Sequence, residues 1–203
     1  TGMSNGGEIC YSLAFDGSNV FKAYAPVAGS VFPNGTVNNL FNPNTPAPFF
    51  ITHGDNDNVT LYEGDLNDQF WGPYLGVDTL VDFWVNENSL TSVNIDTFPD
   101  LNNDGNITIS KKYYSPLTNN EVWLYVHQND HSWGDSDIII EQEIWDFFSL
   151  YINNSLEVLE YNNNKKLVSI SNIFGQKINK SNNTFLLFLY DDGSVEKKLF
   201  LNN

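Results

Sequence analysis

The segment Gly2-Met3-Ser4-Asn5-Gly6 constrains the chain more than any other. It fits G-x-S-x-G, the spacing of a nucleophile elbow, in which a serine sits at the apex of a sharp strand-to-helix turn. Residues two before and two after the serine are expected to be small, because strand and helix cross there. The turn lifts the serine Oγ into open space above the sheet. It also puts the next backbone N–H, that of Asn5, at a helix start, where it can donate to an oxyanion. Residues 8–15, Glu-Ile-Cys-Tyr-Ser-Leu-Ala-Phe, continue as a helix with Ile9, Leu13 and Ala14 or Phe15 facing inward. A glycine-rich surface turn is the alternative, and the partner residues described below weigh against it.

An elbow requires an apolar strand ahead of the serine, and only Thr1, Gly2 and Met3 stand there. The chain is therefore expected to be an N-terminally truncated part of a longer protein. The missing part would hold strands of the sheet, the second oxyanion donor and a signal peptide. Expressed alone, these residues are expected to be insoluble or inactive.

The 203 residues carry 25 acidic and 9 basic side chains, for a net charge of -16. That balance argues against nucleic acid as a partner, since nothing neutralises phosphates. It also disfavours anionic membranes and favours solubility. Aromatic residues make up 15% of the chain, too many for a disordered polymer. Cys10 is the only cysteine, so no internal disulfide and no cysteine-based zinc site can form. No apolar stretch is long enough to span a bilayer. No metal and no cofactor is expected.

Residues 1–153 alternate strand and helix patterns, as an α/β sheet does. Residues 21–28 and 48–53 read as buried strands, with an Asn/Pro/Gly/Thr-rich loop at 32–48 between them. Residues 69–86 read as a helix with a Gly-Pro interruption at its start. Residues 92–98 and 106–114 read as a hairpin, 121–127 as a third core strand, and 138–151 as a strongly apolar last helix. Residues 154–203 carry short β-like runs at 156–159, 167–170, 185–190 and 197–201, a small β-sandwich pattern.

A serine nucleophile needs a base and a group that orients the base. On an elbow scaffold they follow in the order Ser, Asp or Glu, His, each on a loop at the carboxyl end of a strand. His53 directly follows Phe49-Phe50-Ile51-Thr52 and is expected to pack at the end of that strand. His127 ends the strand at 122–126. His131 lies a few residues beyond, just before the last helix, where the base belongs. Asp57 reaches farther into the loop after residue 53 than Asp55, which suits a local turn. Trp133, beside His131, is a candidate to stack on an aromatic acyl group or a sugar, with core packing as its alternative. The segment Asp100-Leu101-Asn102-Asn103-Asp104-Gly105-Asn106 mimics half of a calcium loop. Its twelfth position is Lys111 and no helices flank it, so a hairpin turn is the better reading.

Four segments together resemble the polyhydroxybutyrate depolymerase-like esterases, which include feruloyl and acetylxylan esterases. They are Gly2-Met3-Ser4-Asn5-Gly6-Gly7, Ala25-Pro26-Val27-Ala28-Gly29, His53-Gly54-x-x-Asp57-x-x-x-x-Tyr62, and Asp130-His131-Ser132-Trp133 with Ile144-Trp145-Asp146-Phe147-Phe148. The resemblance covers residues 1–151. It implies an α/β-hydrolase fold, a Ser4–Asp57–His131 triad, an oxyanion hole using the Asn5 N–H, and hydrolysis of a polyester or a feruloylated or acetylated polysaccharide. The chain departs from the family at Asp130 (often Gly), Gly134 (often Pro) and Leu61 (often Pro), which bears on substrate preference. A peptidase on the same scaffold and a non-catalytic, surface-anchored binding protein are the rival readings.

The tail resembles the C-terminal sorting domain of type IX secretion. The match lies in residues 167–176, residues 184–190, Asp192-Gly193 and residues 196–201. That resemblance implies a secreted or cell-surface bacterial protein with the secretion machinery as a partner. A substrate-binding β-sandwich is its alternative.

Overall fold

The computed structural model describes residues 1–17, 20–32, 46–152, 165–172, 175–178, 184–191 and 193–200. The chain divides into two units, Thr1–Asn153 and Asn154–Asn203.

The first unit is mixed α/β. Its main sheet has six strands in the order β1-β2-β3-β8-β7-β6. They are β1 (Gly2–Met3), β2 (Pro26–Val27), β3 (Phe49–Gly54), β6 (Ser92–Thr97), β7 (Thr108–Tyr114) and β8 (Val122–His127). The first four in spatial order are parallel, and β7 and β6 close one side antiparallel. A separate two-stranded piece pairs β4 (Gly64–Asp65) with β5 (Tyr74–Leu75).

Strand β3 is buried at every position, the pattern of a parallel strand covered on both faces. Its register on β8 runs from Phe49↔Val122 to Gly54↔His127. Alternate side chains feed two cores. Phe49 and Ile51 face helices α1 (Asn5–Phe15) and α2 (Val77–Glu87). Phe50, with Trp123 and Tyr125 of β8, faces α3 (Ile140–Ser149). Helix α2 buries Val77, Leu80, Val81 and Trp84, spaced at i, i+3, i+4, i+7. Its Trp84 stacks on Phe49 with ring centroids 4.0 Å apart.

Several boundaries differ from expectation. The strand expected at 21–28 narrows to Pro26–Val27, with a single bridge from Tyr24 to Phe49, and Phe21 lies exposed. The helix expected from 69 begins at Val77. The Asp68 carboxylate accepts the N–H groups of Phe70, Trp71 and Gly72, and this local turn displaces the helix. Phe70 and Trp71 are 85% and 50% exposed, so they are not core residues. Ile9 points to solvent, and α1 buries Cys10, Tyr11, Ala14 and Phe15 instead. The last helix leaves Ile139, Trp145 and Leu150 exposed and packs through Ile140, Ile144 and Phe147.

The second unit is a separate antiparallel sheet of β9 (Leu167–Asn172), β10 (Thr184–Tyr190) and β11 (Val195–Phe200), with β10 in the middle. Leu186 and Phe188 are buried. Lys165 Nζ sits 2.6 Å from the Glu196 carboxylate and 4.2 Å over the Tyr190 ring. The run expected at 156–159 lies outside the described residues. Those that are described form one sheet, where a sandwich requires two. Among the described residues, no helix is long and apolar enough to cross a membrane.

Candidate active site

Ser4 links β1 to α1 with φ 54° and ψ −121°. Such a conformation costs a residue bearing a Cβ about 1–3 kcal/mol and persists only when its surroundings enforce it. Here the Ser4 N–H donates to the Val27 carbonyl at 2.9 Å. The Ser4 carbonyl accepts from Gly7 and Glu8 at 2.8 and 3.0 Å. The hydroxyl makes no capping bond to the helix, so it remains available. The N–H of Asn5 opens α1 with no intrahelical acceptor, as the first N–H groups of any helix do. The small residues that permit this crossing are not quite those the motif names. A Cβ on Gly2 would fall 2.7 Å from Gly6 backbone, and one on Gly29 would fall 2.9 Å from the Ser4 carbonyl. One on Gly6 would meet nothing within 4 Å.

Asp57 lies in the turn after β3, buried to 3% exposure. Its Oδ1 accepts the N–H groups of Val59 and Thr60, each at 2.8 Å. Its Oδ2 accepts Nδ1–H of His131 at 2.7 Å. Burial alone would raise this carboxyl. The donors His53, His131, Val59 and Thr60 outweigh burial and bring it down to about 2. The other acid considered, Asp55, bonds locally to Asn56.

His131 follows β8 and receives its partner 74 residues away along the chain. Because Nδ1 donates to the carboxylate, Nε2 is the nitrogen left for a substrate-side proton. Ser4 Oγ and His131 are not hydrogen-bonded in this structure. The other two histidines are fully buried. His127 is pushed down to about 4, by burial first and by neighbouring His53 second, so it stays neutral. Gly54 explains how the two loops meet: a Cβ there would lie 2.2 Å from the Asn129 carbonyl and 2.5 Å from that of Asp130. Only glycine lets the segment carrying His131 close onto the end of β3.

A cavity of about 480 Å³ opens at Ser4, walled by Asn5, Glu8, Phe32, Val59, Thr60, Trp71 and Tyr74. Phe32 and Tyr74 place their rings 5.5 Å apart. Burial raises the Glu8 carboxyl. Sequence reasoning missed these walls. Glu8 had a readable signal, one turn beyond Ser4 on the same helix, whereas the aromatic residues had none. Trp133, 41% exposed, lines a different, acid-rich cavity with Asp104, Asp130 and Asp135. It flanks His131 in sequence and does not wall the Ser4 cavity.

The Asp100 carboxylate accepts the N–H groups of Asp104 and Gly105, and Asp137 accepts those of Leu101 and Asn102. Among the described residues, no three metal-ligating side chains are gathered to hold an ion. No known family model matches the sequence, and no curated protein matches it.

Proposed function

We propose that the chain carries the catalytic residues of a serine esterase on an α/β-hydrolase scaffold. One observation carries this reading. Three mutually parallel strands, β1, β3 and β8, run out at one edge of the sheet into a serine, an aspartate and a histidine. Sites of open parallel sheets lie at that edge.

His131 Nε2 takes the Ser4 proton as Oγ attacks an ester carbonyl. Asp57 holds the imidazole by Nδ1 and stabilises the imidazolium. The Asn5 N–H at the start of α1 donates to the oxyanion. His131 then protonates the leaving alcohol, and water releases the acid by the same relay. The aromatic walls beside Ser4 suit an apolar acyl group. The reading extends to a bacterial protein exported through its C-terminal unit.

The test is ester hydrolysis by the full-length protein. Aryl esters should turn over, peptides should not, and Ser4→Ala should abolish turnover while the far-UV circular dichroism stays unchanged. Undiminished turnover by Ser4→Ala excludes Ser4 as nucleophile, and peptide cleavage exceeding ester cleavage favours the peptidase reading.

A further inference from the structure

We propose that His53 and Gly54 form a positioning element that sets the Asp57–His131 pair from both sides, with His53 clamping the acid; this rests on the esterase reading above. His53 sits at the end of β3 with no exposed surface. Its Nε2 lies 2.7 Å from the Thr60 carbonyl. A carbonyl only accepts, so Nε2 carries the proton. The same nitrogen is 3.4 Å from Asp57 Oδ2, the oxygen that also receives His131. Thr60 in turn donates its N–H to Asp57 Oδ1. One imidazole thus holds the turn at its carbonyl and faces the carboxylate the turn presents.

The other ring nitrogen points the same way by contrast. Nδ1 of His53 is buried without a hydrogen-bond partner among the described residues. An unsatisfied buried polar atom destabilises the fold, and a leucine would fill this all-buried strand without one. Packing alone therefore disfavours histidine here. What the imidazole supplies is the donor at Nε2. Gly54 supplies the complementary half, because its missing side chain lets the Asn129 and Asp130 carbonyls close in. His53 braces the turn that presents the acid, and Gly54 admits the base.

The test compares His53→Gln, His53→Asn and His53→Leu in the full-length protein. Glutamine extends a donor to the position of Nε2, asparagine stops short of it, and leucine removes it. The readouts are the low-field proton resonance of His131 Nδ1–H, which needs no turnover, and the separate kcat and KM for an aryl ester. The resonance is expected in the wild type and in His53→Gln, and lost or displaced in His53→Asn and His53→Leu. In the latter two, kcat is expected to fall about 10- to 100-fold with KM within about twofold, because alignment and not binding is lost. If His53→Leu does not fold, the Gln–Asn comparison remains decisive. A folded His53→Asn that keeps both the resonance and the wild-type kcat overturns the proposal. A resonance that follows His53 as described, with no ester turnover even in the wild type, supports the clamp and contradicts the esterase reading.

Discussion

Ser4 holds its left-handed conformation without using its hydroxyl to cap α1. The strain and the free hydroxyl together set an expectation for stability. Ser4→Gly removes the Cβ that makes φ 54° unfavourable and gives up no capping bond. It should stabilise the fold by about 1 kcal/mol while abolishing turnover, read by urea denaturation alongside an ester assay. His127 sets a pH dependence. Its folded value of about 4 lies below the ordinary 6.5, so between those values the unfolded chain binds more protons than the folded one. The stability linked to His127 is complete above about pH 6.5 and falls as pH drops toward 4, by roughly 2–3 kcal/mol. Denaturation midpoints across that window should decline in the wild type and flatten in His127→Phe; equal slopes would contradict the assignment. Asp57, held at about 2, extends the acid loss below pH 4.

At the scale of elements, the junction of β3 with the loop after β8 is the least forgiving place in the first unit. Gly54→Ala should leave the sheet folded but push the 129–130 backbone outward by the overlap its Cβ creates. Turnover should fall at least about 100-fold, with loss of the His131 low-field resonance as the structural check. Strands β3 and β8 were legible because they are continuous apolar runs between turn residues. The hairpin at 92–98 and 106–114 was legible from its alternation and the Asp104-Gly105 turn. The start of α2 was not. Phe70 and Trp71 look like helix core in sequence, yet Asp68 gathers their N–H groups into a turn that leaves both rings outside. Ile9 misled in the same way: the α1 stripe is set by Cys10, Tyr11, Ala14 and Phe15, one position round from the expected face. Apolarity alone did not say which side of a short helix the sheet would cover.

At the scale of the whole molecule, strand direction does most of the work. Parallel β1, β3 and β8 run in one direction toward Ser4, Asp57 and His131, and the reach of Asp57 into its loop and the place of His131 before the last helix pointed to the contact these two side chains make. The Asp57–His131 contact was legible for that reason. The aromatic walls of the Ser4 cavity were not, because Phe32 lies far along the chain from Trp71 and Tyr74 and no spacing links them to Ser4. The C-terminal unit carries its own buried residues, Leu186 and Phe188, and the first unit contains every group assigned to chemistry. Removing residues 154–203 should therefore leave kcat and KM within about twofold, measured by assay of purified protein, and under the export reading proposed above the same truncation should abolish export, measured by cell fractionation. The most direct test of the central proposal is covalent: treat the folded full-length protein with a fluorophosphonate probe and map the adduct by peptide mass spectrometry. The predicted result is a single adduct on Ser4, absent in Ser4→Ala and strongly slowed in His131→Ala. A folded protein that takes no label, or takes it equally with Ser4 replaced, would contradict the assignment of Ser4 as a nucleophile activated by His131.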